Sequence, residues 1–283
     1  MKNKNIGFLH PGAMGVSLAA SAANSGFKPH WVASGRSAET LDRAEKHGLQ
    51  ALDSLEEMAA TCSVIIGVCP PHAAVEVAEK VIQASFAGLY ADVNAIAPQK
   101  SIRIGEMMME AGIEYVDGGI VGGPAWEPDS TWLYLSGAPA SKVAEIFAKG
   151  PLETEVMNEV LGRASALKMS FAAYTKGTTA LLCAIVAAAE QMGVRPELEK
   201  QWSRNGSNFA KQTRNRISRV TAKAWRFSGE MGEIADTLES AGLPPGFHLA
   251  AKDIYERISD FKGALDLPEV EEVLDKLLRD DHR

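Results

Sequence analysis

The sequence predicts an α/β domain with a mostly parallel, doubly wound sheet, followed by an all-α domain. Up to Leu161, short apolar runs alternate with amphipathic stretches, and this alternation is typical of parallel strands joined by helical crossovers. After Gly162 the strand-like runs stop and the remaining chain reads as helical. We therefore expect two domains, 1–161 and 162–283, which suits a chain of 283 residues.

The first domain is expected to alternate strands and helices in a regular order. Its predicted strands are NIGFLH, HWVAS, SVIIGVC, LYADVN, IEYVDGG, TWLYLSG and, at the edge near Val156, ETEVM. Helices are predicted up to Ser25, over 38–46 and over 73–85. In the second domain, residues 163–191 read as one uninterrupted helix rich in alanine, of the kind that is buried between neighbours. Breaks at GVRPE, SAGLPPGF and ALDLPEV separate the later helices.

Composition restricts the classes of function. A net charge of −7 opposes nucleic acid as the main partner, although a small phosphorylated molecule can still bind to a local basic patch. The three cysteines are widely spaced, so we expect reduced thiols and neither a disulfide framework nor a metal site. The N-terminus lacks the apolar core of a signal peptide, and the longest weakly polar run, 177–189, is too short to cross a bilayer. These features predict a cytoplasmic protein with no membrane partner.

The first predicted strand leads into HPGAMG at the start of a helix. Gly12 and Gly15 stand where the second and third glycines of G-x-G-x-x-G would stand. The second glycine lets the backbone approach a pyrophosphate, and the third lets helix and strand pack closely. His10 takes the first position, which serves only the tight turn. The helix N-terminus, with Ala13 and Met14, still offers N–H groups to an anion, so we predict dinucleotide binding over the alternative of a plain strand-to-helix turn.

The loop after the second predicted strand bears on the choice between NAD and NADP. An NAD-binding protein commonly carries an acidic residue here for the ribose hydroxyls. This stretch, WVASGRSAET, instead offers Ser34, Arg36 and Ser37, with no acid before Glu39. A guanidinium flanked by hydroxyls suits a phosphate monoester, so NADP (NADPH) is favoured. The alternative is that Arg36 is a solvated loop cation.

Four stretches, GFLHPGAMG, DVNAIAPQ, DGGIVGGPAW and GRASALKMS, have the order and spacing found in β-hydroxyacid dehydrogenases, which include relatives of 6-phosphogluconate dehydrogenase. The chain resembles this family over essentially its whole length, with a Rossmann domain before an all-helical domain. The stretch AWRFSGEMGEIADTLESAGLPPGFHLAAKDIY resembles a little-characterised, phosphogluconate-dehydrogenase-like branch. The resemblance implies an oxidoreductase that transfers hydride between nicotinamide and a small hydroxy acid, oxo acid or aldehyde, and the loop with Arg36 makes NADP its expected coenzyme. It also implies an intertwined homodimer.

The resemblance assigns positions around the nicotinamide and the substrate. Pro70 and Asn94 would lie on loops beside the nicotinamide ribose. The family's Ser-Gly-Gly substrate loop becomes Val121-Gly122-Gly123, which has no hydroxyl. Its backbone N–H groups can receive a carboxylate, and the alternative is a plain turn before Pro124. Trp126 would either wall an apolar substrate or pack in the core.

Lys168 matches the family's catalytic lysine and is the strongest single candidate. In a helix of Ala, Leu, Met and Phe its ammonium would be partly desolvated, which suits exchange of a proton with a carbinol or carbonyl oxygen. The alternative is that it reaches solvent. The family's asparagine is replaced by Ala172. At 3.6 residues per turn, Ser165 and Thr175 share a face with Lys168, so either hydroxyl is a candidate replacement, unless the substrate needs none.

Residues of the C-terminal domain are weaker candidates. Glu230 and Glu233 form an i, i+3 carboxylate pair, which is either a substrate site or an exposed helix face. His248 is either a substrate contact or a surface histidine. Lys252 resembles a family lysine near the coenzyme. Two other functions stay open: an imine reductase, whose relatives lack the lysine, and a coenzyme-binding sensor without turnover.

Overall fold

The computed structural model describes residues 2–264 and 266–279 of the chain. It divides the chain into two compact units, Met1–Met169 and Ser170–Arg283. The first unit contains a sheet with helices, and the second is helical, so the predicted fold class is confirmed.

The strands of the first unit form one eight-stranded sheet in the order β3-β2-β1-β4-β5-β6-β7-β8. They are β1 (Asn5–Leu9), β2 (Lys28–Val32), β3 (Gln50–Leu52), β4 (Val64–Gly67), β5 (Leu89–Asp92), β6 (Glu114–Gly122), β7 (Thr131–Ser136) and β8 (Glu153–Asn158). The helices between them are α1 (Ala13–Asn24), α2 (Ala38–Lys46), α3 (Leu55–Thr61), α4 (Ala74–Gln83), α5 (Pro98–Glu110) and α6 (Ala140–Phe147).

Adjacent residues of the central strands point to opposite faces of the sheet, and each face carries its own apolar layer. On one face, Ile66 belongs to a buried cluster with residues of α1, α2 and α6. On the other, Ile65 belongs to a cluster with residues of α3, α4 and α5. Because both faces are covered, these strands read as continuous apolar runs, which made them visible in the sequence.

Three neighbouring strands, β1, β4 and β5, end in register at the carboxyl edge of the sheet, and β6 passes the same level at Asp117 before it continues to Gly122. Leu9 of β1 pairs with Gly67 of β4, Gly67 with Asp92 of β5, and Asp92 with Asp117 of β6. Chain order reverses between β1 and β4, since β2 and β3 lie on one side and β5 on the other. Ligands of open α/β sheets bind outside this edge, at such a reversal. The sheet is mostly parallel, and β7 runs antiparallel to β6.

The second unit consists of helices after α7 (Arg163–Ala172), whose last residues belong to it. A π turn (Ala173–Gly177) follows α7, and then come α8 (Thr178–Gln191), α9 (Arg195–Trp202), α10 (Phe209–Ser240), α11 (Gly246–Arg257) and α12 (Val270–Leu278). The first two predicted breaks fall where α8 and α10 end, and the third directly precedes α12. The prediction of a regular helix over 163–191 is corrected: the run is helical throughout, but the π turn interrupts its α-helical geometry.

The same run corrects the expectation that no segment is long enough for a bilayer. Arg163–Gln191 is long and apolar enough to cross one by length and composition, and 44% of its most apolar window is buried within the structure. Core helices of soluble proteins meet the same criterion, so the run is weak evidence for a membrane span.

Candidate coenzyme and catalytic site

The turn from β1 to α1 keeps the geometry of a dinucleotide-binding loop without its first glycine. His10 has φ 66°, a left-handed conformation that favours glycine. The Gly12 N–H donates to the His10 carbonyl at 2.7 Å, which closes the turn. A Cβ at Gly15 would lie 2.7 Å from the same carbonyl oxygen, so only glycine allows this approach of helix to strand. At Gly12, by contrast, a Cβ would meet nothing within 4 Å.

The N-terminus of α1 is open to an anion. Gly12 caps the helix with extended backbone and supplies no side-chain hydrogen bond. Gly12 and Ala13 are exposed, Met14 is half-buried, and Gly15 is buried. The first N–H groups of a helix lack partners within the helix and carry the positive end of its dipole. The turn therefore offers both space and donors for a phosphate.

The His10 imidazole lies within reach of two cations. Burial lowers its pKa to about 4, and the charges of Arg36 and Lys80 act in the same direction. Its Nδ1 is buried and has no hydrogen-bond partner among the described residues. The ring is therefore neutral at neutral pH. Its interaction with Arg36 shows that the loop after β2 lies near the turn after β1.

The loop after β2 contains the three polar residues proposed for the coenzyme. Ser34 and Ser37 are exposed, and Arg36 is half-buried. The Arg36 Nε donates to the Val32 carbonyl at 3.5 Å, and within the part of the chain that the structure describes this arginine forms no ion pair. Ser37 caps α2, because its hydroxyl accepts from the Thr40 N–H at 3.4 Å. Glu39, the first acid of the loop, pairs with Arg43.

Asn94 joins the loops that follow β4 and β5. Its backbone N–H and side-chain Nδ2 donate to the two carboxylate oxygens of Asp92, at 2.9 and 3.0 Å. Its Oδ1 accepts from the Cys69 N–H, next to the exposed Pro70. Asn94 is buried, so it shapes the edge on which Pro70 stands. Burial and the nearby Asp92 charge raise the pKa of the Cys69 thiol to about 12, which keeps it protonated.

Asp117 is a buried residue that sequence reasoning missed. Its Oδ1 accepts from the hydroxyls of Ser101 at 2.8 Å and Ser165 at 2.5 Å. Its Oδ2 accepts from the Ser136 hydroxyl at 2.9 Å and the Ser165 N–H at 3.1 Å. The signal was present, because a single acid inside an apolar strand run such as EYVDGG must be solvated by the protein.

This arrangement corrects one expectation about α7, the helix that carries Lys168. Ser165 is buried and its hydroxyl donates to Asp117, so it is not available to replace the amide that is missing at Ala172. Ala172 is itself buried.

Lys168 lies one turn along α7 from this anchor. A Cβ at Gly119 of β6 would lie 2.5 Å from the Ala164 carbonyl oxygen and 2.9 Å from the Lys168 Cβ. The helix therefore packs directly on the strand backbone, just beyond Asp117 at the carboxyl edge. Lys168 is half-buried, which agrees with neither a fully enclosed ammonium nor a fully solvated one.

The loop Val121-Gly122-Gly123 begins the hairpin from β6 to β7. Gly122 has φ 125°, and a Cβ there would lie 2.4 Å from the Ser130 carbonyl oxygen. Gly123 is open on its Cβ side, and its carbonyl accepts from the Thr131 hydroxyl at 2.8 Å. The hairpin alone thus explains Gly122, whereas Gly123 leaves room for a ligand. Val121 is half-buried and pairs with Trp132.

Trp126 is not a core residue. It is 43% exposed, and its ring stacks on His47 with ring centroids 4.7 Å apart. The core-packing alternative for this tryptophan is therefore wrong. One face of the indole is already covered by the imidazole, which leaves the other for a ligand.

The π turn gathers polar groups of the second unit. Its wider turn leaves carbonyls that the helix does not use, and side chains of later helices donate to them. Arg216 of α10 donates to the Thr175 carbonyl at 2.5 Å and to the Thr178 hydroxyl at 2.7 Å. The Tyr255 hydroxyl of α11 donates to the Lys176 carbonyl at 2.7 Å.

Thr175 is half-buried within this turn. Its own hydroxyl donates to the Phe171 carbonyl at 3.0 Å, so it can offer only lone pairs to a substrate. The expectation that Thr175 shares a face with Lys168 assumed 3.6 residues per turn throughout. That assumption fails over Ala173–Gly177.

Glu230 is buried and paired, so the exposed-face alternative is wrong. Its carboxylate contacts the Lys176 ammonium and lies 3.5 Å from the Arg226 Nε. The Lys176 ammonium also lies 4.3 Å from the centroid of the Phe227 ring. Glu233 is buried as well.

His248 and Lys252 lie on α11. His248 is 6% exposed rather than a surface residue, its Nε2 lies 3.5 Å from the Ala173 carbonyl oxygen, and burial lowers its pKa. Its Nδ1 has no partner among the described residues. Lys252 is half-buried, and its ammonium lies 3.7 Å from Glu256.

Two family models match the chain. One, described as the NAD binding domain of 6-phosphogluconate dehydrogenase, matches residues 5–149. The other, a domain of unknown function (DUF1932), matches residues 189–258. An uncharacterized 28.5 kDa protein from the 7S RNA 5′ region of Methanothermus fervidus is 27% identical over 227 residues, which cover 80% of this chain and 88% of that protein.

Solved structures share the fold across both units. A conserved protein of unknown function, described as structurally similar to 3-hydroxyacid dehydrogenases, has 26% identity and a TM-score of 0.67 and covers 90% of this chain and 97% of its own. Mycobacterium tuberculosis 3-hydroxyisobutyrate dehydrogenase with L-serine has 17% identity, a TM-score of 0.71 and coverage of 98% and 99%. An Aspergillus terreus reductive aminase with NADPH4, cyclohexanone and allyl amine has 17% identity, a TM-score of 0.57 and coverage of 96% and 99%.

Proposed function

Because this chain belongs to the family of the NAD-binding domain of 6-phosphogluconate dehydrogenase, among the β-hydroxyacid dehydrogenase-like proteins, we propose that it is an NADP-dependent oxidoreductase. Its substrate is a small hydroxy acid, or the corresponding oxo acid or aldehyde. The observation that carries the proposal is the position of Lys168. The base of its side chain packs against Gly119 of β6, just beyond the carboxyl edge of the sheet, where the proposed coenzyme-binding loops begin.

The coenzyme residues follow from the shape of that edge. The first turn of α1, from Gly12 to Gly15, receives the pyrophosphate on its free N–H groups. Arg36, with Ser34 and Ser37, binds the additional phosphate of NADP. In support, this guanidinium has no acidic partner among the described residues, and a second cation, Lys80, acts on the same His10 ring. Pro70 and Asn94 border the nicotinamide, which when bound supplies or accepts the hydride.

Lys168 exchanges the proton that accompanies hydride transfer. In the reducing direction its ammonium donates to the carbonyl oxygen, and in the oxidising direction its amine accepts from the alcohol. Half-burial favours this role, because an electrostatic contact to the developing oxyanion is stronger where water is partly excluded. The N–H of Gly123 and the free face of Trp126 are the proposed substrate contacts nearby. Thr175 remains our candidate for the position of the missing amide.

We also propose that the protein is cytoplasmic. Cys62, Cys69 and Cys183 are free in the structure, as expected in a compartment that keeps thiols reduced.

Replacement of Lys168 tests the reaction. Lys168→Ala should lower turnover by about two to four orders of magnitude, the usual contribution of a positioned acid or base, while the Kd of NADPH stays within about twofold. Lys168→Met, which keeps the apolar stem, should behave in the same way. The substrates are 3-hydroxyisobutyrate and L-serine with NADP⁺, and glyoxylate and succinic semialdehyde with NADPH.

A second set of reactions separates the alternatives. Cyclohexanone with allyl amine, the pair bound in the reductive aminase, tests C=N reduction. Faster NADPH oxidation with this pair than with any oxo acid or aldehyde would favour the imine reductase. NADPH binding without turnover of any of these compounds would favour the sensor. Parent-like turnover by Lys168→Ala would reject the proposed mechanism.

A further inference from the structure

We propose that Asp117 is a positioning residue that sets Lys168 by capping α7 from the neighbouring strand. The inference rests on the proposed function for the role of Lys168. The capping itself depends only on contacts within the first unit.

The first turn of α7 has N–H groups for which its own helix offers no acceptor, and those of Ala164 and Ser165 are among them. The N–H of Ala166 already bonds to the Gly162 carbonyl at 2.9 Å, as in any helix, but those of Ala164 and Ser165 precede the first such bond. The Ser165 N–H donates to Asp117 Oδ2 at 3.1 Å. The Ala164 N–H donates to the Ser136 hydroxyl at 3.1 Å, and that hydroxyl donates to the same Oδ2.

The cap is thus supplied by β6 and β7 instead of the residue before the helix. A carboxylate at a helix N-terminus is also favoured by the helix dipole. Asp117 is 1% exposed and accepts four hydrogen bonds from the described residues, so these donors solvate its charge in place of water. A fixed anion with four fixed donors leaves α7 little freedom to slide or rotate on the sheet.

Lys168 lies four residues after Ala164, on the same face of the helix, and both contact the position of Gly119. A shift in the first turn of α7 therefore moves the base of the lysine side chain directly. Catalysis is sensitive to such shifts, because a displacement of about 1 Å can cost about a hundredfold in rate.

The neighbouring strand carries a second buried carboxylate with a different task. Asp92 is the register partner of Asp117, and it accepts both N–H groups of Asn94 on the coenzyme side. Two paired residues on neighbouring strands thus fix different parts of the proposed site. Asp92 fixes the loop beside the nicotinamide, and Asp117 fixes the helix that carries the proposed proton donor. The pair provides a matched comparison.

Two serine-to-alanine substitutions isolate the contribution of the contact between Asp117 and α7. Ser165→Ala and Ser101→Ala each remove one hydroxyl that donates to Asp117 Oδ1, but only Ser165 is on α7, whereas Ser101 is on α5. With the substrate that turns over fastest in the series above, we expect Ser165→Ala to lower kcat about tenfold and Ser101→Ala less than about twofold. The Kd of NADPH, measured by fluorescence titration, should change less than about twofold in both.

The carboxylates are compared in the same way. Asp117→Asn should lower kcat with little effect on NADPH binding, and Asp92→Asn should weaken NADPH binding more than it lowers kcat. A merely structural role for Asp117 would give the same kcat for Ser165→Ala and Ser101→Ala, or parallel losses of kcat and NADPH affinity in both aspartate variants. Either result overturns the proposal.

Amide hydrogen exchange gives a readout that needs no substrate. In Ser136→Ala, which removes the acceptor of the Ala164 N–H, exchange of the amide at 164 should accelerate at least about tenfold, and in Ser101→Ala it should not. Unchanged protection in Ser136→Ala would overturn the capping role. Parent-like turnover by Lys168→Ala, with exchange as expected, would instead reject the proposed function and leave the cap intact.

Discussion

At the scale of single residues, His10 is the most unusual feature of the coenzyme turn. The first glycine of the motif was expected to serve only the tight turn, yet His10, which replaces it, adopts the left-handed backbone that glycine would adopt. The conformation is thus retained without the residue type, at a cost of about 1–2 kcal/mol for a residue with a Cβ. The buried Nδ1 of the same side chain, which has no hydrogen-bond partner within the described part of the chain, adds a desolvation cost.

The lowered pKa of His10 predicts a loss of stability in acid. The pKa is about 4 in the folded protein and has its ordinary value near 6.5 in the unfolded chain, so between these values the unfolded chain binds more protons. The free energy of unfolding therefore falls as the pH falls through this window. His10→Gly should show a shallower fall, measured by urea denaturation at about pH 7 and about pH 4.5. His30 and His248 also have lowered pKa values, so the difference between parent and variant isolates His10. Identical slopes would contradict the prediction.

Arg36 determines the proposed preference for NADP. The parent should bind NADPH at least about tenfold more tightly than NADH, because a guanidinium binds a phosphate monoester by a charge-assisted, forked contact. Arg36→Ala should remove most of that difference without weakening NADH. Arg36→Lys, which keeps the charge but not the fork, should be intermediate. Equal affinities of the parent for the two coenzymes, by fluorescence titration, would refute this assignment.

At the scale of elements, the helical run over 163–191 was predictable from the sequence, whereas the π turn within it was not. The apolar pattern over 163–191 predicted a helix correctly, but a π turn has no composition of its own. It is stabilised here by partners that are distant along the chain, Arg216 and Tyr255. For the same reason the burial of Glu230 was not predicted, since its partner Lys176 lies 54 residues away.

Removal of one member of the Lys176–Glu230 pair should be costly. The two side chains are 14% and 5% exposed, so Lys176→Met would take from a buried carboxylate the ammonium that contacts it directly, while the Arg226 Nε stays 3.5 Å away. We expect a loss of about 3 kcal/mol in the free energy of unfolding, and a smaller loss when Lys176→Met is combined with Glu230→Met. The control is Lys252→Met, which removes a more exposed pair with Glu256 and should cost less than about 1 kcal/mol. Urea denaturation measures all three, and equal losses in the two single variants would contradict burial of the pair.

At the scale of the whole molecule, exposed apolar residues on the long helical run favour self-association. Phe171, Tyr174, Leu181 and Ile185 are exposed, so the expected burial of this helix between neighbours is incomplete within one chain. Exposed apolar side chains spaced three, four and seven residues apart along one helical run are typical of an interface. The family resemblance points to a second copy of the chain as the partner, and we propose a homodimer.

Light scattering at micromolar concentration should give about twice the 30.3 kDa mass of one chain. Leu181 and Ile185 lie one turn apart on α8. Changing both to glutamate should produce monomers, because dimerisation would then bury unpaired carboxylates in the interface. Met109→Glu, at an exposed site of the first unit, should leave the mass unchanged. A parent mass near that of one chain would refute the dimer.

The strands were predictable where burial on both faces of the sheet produces a continuous apolar run in the sequence. Strands β1, β4 and β5 are covered on both faces and read as apolar runs, whereas β3 has only three residues and was not predicted. The β1 turn was predicted from Gly12 and Gly15. Asp117 was not, because its four donors come from α5, β7 and α7, and only the fold brings those together. The family resemblance assigns a role to the glycines that follow Asp117 and none to the aspartate itself.

The absence of a side chain at Gly119 sets the depth of the proposed active site. The backbone of β6 and the backbone of α7 are in direct contact there, so the Lys168 Cβ lies as close to the strand as packing allows. Any larger residue at this position would push the helix away from the strand. One methyl group at Gly119 would raise the lysine in a single small step. A change at this one buried strand position would therefore alter the space for a substrate beside the proposed proton donor, while every residue proposed to line the site keeps its identity.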